Sequence, residues 1–197
     1  MQLEDLVKKV AVIKMDTRTQ LIILAASLSF LGLAFIQIIF MPKPPRLGLC
    51  CESTEIDLLP VFALMLITIT VHEILHLIGF KLLKVDLAKV ELVRMFKVIP
   101  LGIMIVYREI SIVKYIIVAL LPQVLTIAFL AVFLHAVANT DIVLIIISYT
   151  LYALHLGASG GDLCGVAYTL FKAKSLKGKW VSIIKEGKCT EFHLYVE

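Results

Sequence analysis

Four stretches of nearly unbroken hydrocarbon divide the chain, at roughly residues 21–41, 58–80, 112–136 and 142–171. A helix needs about 20 apolar residues to cross the ~30 Å core of a bilayer, so each stretch is read as a transmembrane helix. No A-x-A cleavage site follows the first, which is therefore expected to stay as a span and not to be removed as a signal peptide. The fourth is interrupted by Gly157-Ala-Ser-Gly-Gly-Asp162. Between the second and third, residues 85–107 mix charged and apolar positions, partly in strand-like alternation. With Pro100-Leu-Gly102 as the turn, they predict a β-hairpin lying at the membrane surface. The tail, 172–197, predicts two short strands around Glu186-Gly187, and Pro42-Lys-Pro-Pro45 a stiff turn on the other side. The expected fold class is mainly α: one integral membrane domain, residues 1–197, with four transmembrane helices, a membrane-surface β-hairpin between helices 2 and 3, and a short cytoplasmic C-terminal β-tail.

The basic residues give this parse an orientation. Four fall in residues 1–20, two in 42–57, seven in 81–114, none in 137–141 and six from Lys172 onward. Alternate segments thus hold 17 against 2, and the positive-inside rule puts both termini in the cytoplasm of a multi-pass cell-membrane protein. The small size and lack of a cleavable signal suit a prokaryotic cytoplasmic membrane.

Composition narrows the function classes. Hydrophobic residues make up 60% of the 197, against about half in a soluble domain, so the lipid bilayer is the expected solvent. No basic run with interleaved aromatics points to nucleic acid, and no Walker or Rossmann glycine pattern is present. The four cysteines, Cys50, Cys51, Cys164 and Cys189, show no C-x-x-C spacing, which argues against a cysteine zinc site.

Polar chemistry concentrates in Thr70-Val-His-Glu-Ile-Leu-His-Leu-Ile-Gly-Phe80, inside the second hydrocarbon stretch. Ionisable groups within a span are costly and rare, so two imidazoles and a carboxylate within five residues imply a partner. On a helix His72 and His76 project from one face, one turn apart. That spacing lets both bind one Zn²⁺ at about 2.0–2.1 Å. Glu73, at the rim of the face, can reach a metal-activated water as general base.

A catalytic zinc wants a third protein ligand. The metzincin extension fails, because Leu82 stands where its third histidine belongs. Glu91 lies at a zincin-like distance but in the charged hairpin, and His135 falls at the far end of the third span. Asp162 is the best candidate on depth. His76 and His72 precede Phe80 by ~6 and ~12 Å of helical rise, and Asp162 precedes Phe171 by ~14 Å. Both spans end on the cytoplasmic side, so the three groups lie at similar depth. Gly160 and Gly161 would let the backbone bend where it lines a polar cavity. His155, on the same face as Asp162 but ~10 Å deeper, is a supporting partner or an alternative ligand. A carboxylate capping the helix after the glycine break is the plainer reading of Asp162.

His72-Glu73-x-x-His76 in the second span, Pro122 in the third and Asp162 in a glycine-rich break of the last resemble the site-2 protease family of intramembrane zinc metalloproteases. The chain is more similar still to a compact branch of small membrane proteins described as putative zincin peptidases, in which the first motif is followed by a short membrane-surface segment and then a "GGD" stretch, here Gly160-Gly161-Asp162. The resemblance spans about residues 58–171. It implies Zn²⁺ held by His72, His76 and Asp162, with Glu73 activating water. The chain departs from the protease pattern in having Leu163 after Asp162, where the family has glycine. Its only asparagine, Asn139, lies in a loop, which leaves Gln123 as the nearest group to assist an oxyanion or substrate. An ordinary interhelical hydrogen bond is the plainer role for Gln123.

The expected activity is that of a zinc metalloendopeptidase acting on a membrane-protein substrate, at a transmembrane or juxtamembrane segment. An unwound substrate strand would pair with the 85–107 hairpin. The alternatives are a non-proteolytic zinc-binding membrane protein for metal handling or sensing, and a structural membrane protein that binds no metal.

Overall fold

A computed structural model describes residues 8–40, 58–95 and 99–197. In chain order the elements are strand β1 (Lys8–Lys14), helices α1 (Thr17–Phe40) and α2 (Leu58–Leu82), and strands β2 (Leu87–Met95), β3 (Ile99–Tyr107) and β4 (Glu109–Ser111). Helices α3 (Ile112–Leu120), α4 (Gln123–Ala138), α5 (Ile142–Ala158) and α6 (Gly160–Ala173) follow, then strands β5 (Gly178–Lys185) and β6 (Lys188–Val196). The chain is mostly helical. The expected turn at Pro42–Pro45 and the pair Cys50-Cys51 lie outside the described residues.

Three helical segments are long and apolar enough to cross a bilayer: Thr17–Gln37, Phe62–Leu82 and Ile112–Ala138. Helices α5 and α6 form a fourth when taken as one span bent by 44°. The third segment is also interrupted, at Leu121-Pro122, because proline has no N–H to continue the helix. Leu21, Ile22, Leu28, Leu33, Phe35 and Ile36 of α1 are all exposed. Contiguous apolar surface of this extent is unusual on a water-soluble monomer and fits solvation by hydrocarbon. Inside the bundle, Ala34, Phe133, Tyr149, Tyr152 and Ala153 form a small core. The Tyr149 hydroxyl donates to the Ala34 carbonyl. The Tyr152 hydroxyl donates to Gln37 Oε1 at 2.9 Å, a second polar tie between α5 and α1.

The strands gather into a four-stranded antiparallel sheet of order β1-β6-β5-β4 and a separate β2-β3 hairpin. The tail hairpin turns where the sequence suggests. Lys185 faces Lys188, and both intervening residues, Glu186 and Gly187, have positive φ of 49° and 74°, as a two-residue type I′ turn requires. Strand β1 was not anticipated; it borders the sheet beside β6.

The β2-β3 hairpin forms within the expected segment, but Pro100-Leu-Gly102 is not its turn. Pro100 pairs with Arg94 and Gly102 with Val93, inside β3. Among the described residues strand β3 has no ladder partner beyond β2, so a proline without an N–H is tolerated there. The connection from Met95 to Ile99 lies outside the described residues. The hairpin packs on the larger sheet through Tyr107, which lies between Phe80 and Phe192 at centroid distances of 6.0 and 5.6 Å. Trp180 of β5, 2% exposed, donates its Nε1–H to Thr169 Oγ1 of α6 at 3.2 Å. The sheet is thereby tied to the helix that carries Asp162.

Gly160 is where α6 meets α1. A Cβ there would lie 2.6 Å from Ser27 Cα and 2.7 Å from Ser27 N, so backbone would have to move. Gly32, by contrast, has nothing within 4 Å of such an atom. Gly160→Ala is expected to destabilise the protein by about 1–3 kcal/mol. Gly32→Ala should stay within ~0.5 kcal/mol of the parent or gain slightly. Thermal unfolding in detergent measures both, and equal behaviour would contradict the close α1–α6 contact.

Candidate metal centre

Helix α2 brings His72, Glu73 and His76 to one level of the bundle, and the first turn of α6 brings Asp162 to meet them. His72 Nε2 lies 3.2 Å from Asp162 Oδ2, His76 Nε2 lies 3.3 Å from the same oxygen, and the two Nε2 atoms are 3.2 Å apart. Both histidines are buried and Asp162 is partly so. Glu73 lines a cavity of about 1120 Å³ together with His72, His76 and Asp162.

The outward-facing ring nitrogens fix what the inward ones can do. His76 Nδ1 is 3.0 Å from the Val118 carbonyl, which can only accept, so Nδ1 carries the proton and Nε2 presents a lone pair. That carbonyl is available for a specific reason. In an unbroken helix it would accept from the N–H four residues on, and that residue is Pro122. The proline break thus supplies the acceptor that orients a histidine on another helix. His72 Nδ1 lies 3.0 Å from His155 Nε2, so one of these two rings donates to the other.

With both rings neutral and protonated at Nδ1, two imidazole lone pairs and a carboxylate oxygen converge, and a cation at their centre would satisfy all three. Tetrahedral ligands at about 2.0–2.1 Å from a metal lie roughly 3.3 Å from one another, close to the 3.2–3.3 Å separations of His72, His76 and Asp162. Two nitrogens, one oxygen and an open side toward the cavity suit a zinc ion with a free coordination position.

The other sequence candidates fall elsewhere. His155, 2% exposed, sits behind His72 and outside the triangle. Gln123 does not line the cavity. Its Oε1 accepts from Thr126 Oγ1 at 2.9 Å, and its buried Nε2 has no partner among the described residues. Glu91 lies in β2, where it accepts from the Cys189 amide at 3.2 Å and pairs with Lys89. His135 is exposed and bonded to Asn139 at 3.1 Å. Burial pushes the nearby Cys189 thiol up to about 11, with Glu91 adding to the rise, so it stays protonated and unreactive at neutral pH. Two contributors escaped the sequence reading. The Val118 carbonyl could have been found by counting four back from Pro122, whereas Thr126 is one hydroxyl in an apolar helix and carries no local signal.

A buried pair of histidines on one helix turn, completed by a carboxylate from another helix, defines a zincin-like metal centre. The chain belongs to the family described as "Putative zincin peptidase", whose model matches residues 65–176, more than half of its length. Membership supports zinc metallopeptidase activity. No curated protein and no solved structure matches the chain.

Purified protein is expected to hold about one zinc per chain. His76→Ala and Asp162→Ala should each lose it, while Glu91→Ala keeps it. Elemental analysis of detergent-purified protein decides this, and zinc retained by Asp162→Ala would remove that carboxylate from the ligand set.

Proposed function

We propose that the protein is a membrane-embedded zinc metallopeptidase that hydrolyses peptide bonds in or next to the bilayer. The observation that carries this reading is the His72–His76–Asp162 triangle, set among helices whose outer surfaces are hydrocarbon, with Glu73 on the same cavity. A zinc ion held there would polarise a substrate carbonyl and acidify a water. Glu73 takes the proton from that water and returns it to the leaving amine nitrogen. His72 and His76 keep their Nδ1 protons throughout, held by His155 and the Val118 carbonyl.

The strand pairings support four crossings with both termini on the cytoplasmic side. Strand β1 precedes α1, β2 to β4 lie between α2 and α3, and β5 and β6 follow α6. All of them pack together. The chain therefore leaves this layer and returns to it twice, once through α1 and α2 and once through α3 to α6. The 17-to-2 distribution of basic residues supports a cytoplasmic position for the same layer. The substrate is a transmembrane or juxtamembrane segment that unwinds to enter. Ile103, Met104 and Ile105 of β3 and Val12, Ile13 and Lys14 of β1 border the cavity, and an extended segment could pair with a strand at this entrance.

Glu73→Gln separates proteolysis from metal binding. It is expected to keep its zinc and to lower peptide hydrolysis by roughly 10²–10⁴-fold. The assay is cleavage of a reporter membrane segment co-reconstituted in vesicles, beside zinc content. Zinc binding with no cleavage by the wild type across a panel of such segments would favour metal handling instead.

A further inference from the structure

We propose that His155 and Thr126 are positioning residues that hold the ligand His72 in its zinc-binding tautomer, through a directed chain of hydrogen bonds starting at Gln123. The proposal rests on the zinc centre described above and adds the part of it that lies behind the ligands.

The chain runs Gln123 Oε1, Thr126 Oγ1, His155, His72. Thr126 Oγ1 donates to Gln123 Oε1 at 2.9 Å. A hydroxyl has a single hydrogen, so toward His155 Nδ1, 2.8 Å away, Thr126 Oγ1 can only accept. His155 Nδ1 must then carry its proton. In a neutral imidazole the other nitrogen is an acceptor, and His155 Nε2 receives the Nδ1–H of His72 at 3.0 Å. His72 Nε2 is left with its lone pair directed at His76 Nε2 and Asp162 Oδ2. With the Thr126 hydrogen directed to Gln123 Oε1, every other role along the chain follows, and the roles agree.

The surroundings keep the chain from rearranging. His155 is 2% exposed and its ring meets Phe129 edge-on, with centroids 6.0 Å apart at 69°. Its ring also meets His72, at 5.0 Å and 60°. The His155 carbonyl is separately engaged by Ser159, whose amide and hydroxyl both donate to it at 2.9 Å. This fixes the backbone just before the break that delivers Asp162. Three helices therefore meet at His72 Nδ1: α4 through Gln123 and Thr126, α5 through His155, and α2 through His72 itself. The acceptor for His72 is an imidazole instead of the commoner carboxylate or carbonyl, so orientation is gained without adding another carboxylate to Glu73 and Asp162.

The test is zinc affinity, by competition with a chromophoric chelator in detergent, for the wild type, His155→Leu, His155→Gln and the near-isosteric pair Thr126→Val and Thr126→Ser. The visible spectrum of the cobalt-substituted forms is recorded beside it. His155→Leu removes the acceptor for His72 and is expected to weaken zinc binding by roughly 10–100-fold. His155→Gln places an amide oxygen where Nε2 stood and should recover most of that loss. Thr126→Val removes the acceptor for His155 Nδ1–H. It should weaken binding and shift the cobalt bands, while Thr126→Ser leaves both near wild type. Thr126→Val changes little volume, so it stands as the test even where His155→Leu does not fold. Wild-type affinity in His155→Leu and Thr126→Val would overturn the proposal. So would equal losses in His155→Leu and His155→Gln with both threonine variants unchanged, since packing alone would explain that pattern. A wild type that binds no zinc would overturn the metallopeptidase reading and this proposal together, whereas failure of the variants alone would overturn only the chain behind His72.

Discussion

Two imidazole lone pairs and a carboxylate, all within 3.3 Å of one another in an apolar helix bundle, constrain the rest of this molecule. Burying ionisable groups in hydrocarbon is costly unless they are paired. As neutral imidazoles with their Nδ1 protons directed outward, the two rings present lone pairs that a cation at the centre would satisfy. The Val118 carbonyl leaves His76 no other neutral tautomer, and the acceptor proposed at His155 Nε2 would do the same for His72. The supporting hydrogen bonds are thus part of the metal site, since without them either ring could turn its proton inward.

That requirement accounts for where the helices break. Interrupting a helix inside a bilayer frees backbone groups that lipid cannot satisfy. Both interruptions here border the site, and their backbone groups find partners. Pro122 removes the helical donor to the Val118 carbonyl, which then accepts from His76 beside a longer 3.3 Å bond from the Leu121 amide. At the second break, Ser159 turns its amide and hydroxyl back onto the His155 carbonyl, and Gly160 lets α6 approach α1 at Ser27. An unbroken fourth helix would carry Asp162 on the line of α5. The 44° bend instead starts a new helix whose first turn presents the carboxylate to α2.

Much of this was legible in the residue order, and what was not has physical causes. Hydrocarbon runs mark apolar helices because length and composition alone decide whether a segment can lie in lipid, and α1 and α2 follow their expected ranges closely. His72, Glu73 and His76 were legible because helical spacing is a local property. Comparing depths placed Asp162 at the level of the histidines, where its oxygen lies. The same arithmetic put His155 about 10 Å deeper, yet it reaches His72 Nδ1, because depth fixes the level of a backbone atom and not the reach of a ring from a bent helix. Strand β1 was missed because its seven residues show little alternation and their partners lie at the other end of the chain. The turn assigned to Pro100–Gly102 failed because proline and glycine also fit a strand without a second ladder partner.

The sheet explains why so small a bundle can hold a site of this precision. Loosely associated helices in lipid lack the hydrophobic drive that packs helices in water, and a ligand displaced by 1 Å no longer meets its metal. Two of the three chain segments that carry the site run directly into the strand layer. Helix α2 leads into the β2-β3 hairpin, and α6 leads into β5, with Trp180 bonded back to Thr169 two turns below Asp162. The third, α3, starts from β4, where the Ser111 side chain caps its first turn. The layer buries Ile110, Ile112, Trp180 and Leu194 almost completely, so its own packing fixes where those helix ends stand. Registry among His76, the Val118 carbonyl and Asp162 is thereby set in the strand layer, by ordinary core packing, and carried to the site along rigid helices over a few turns.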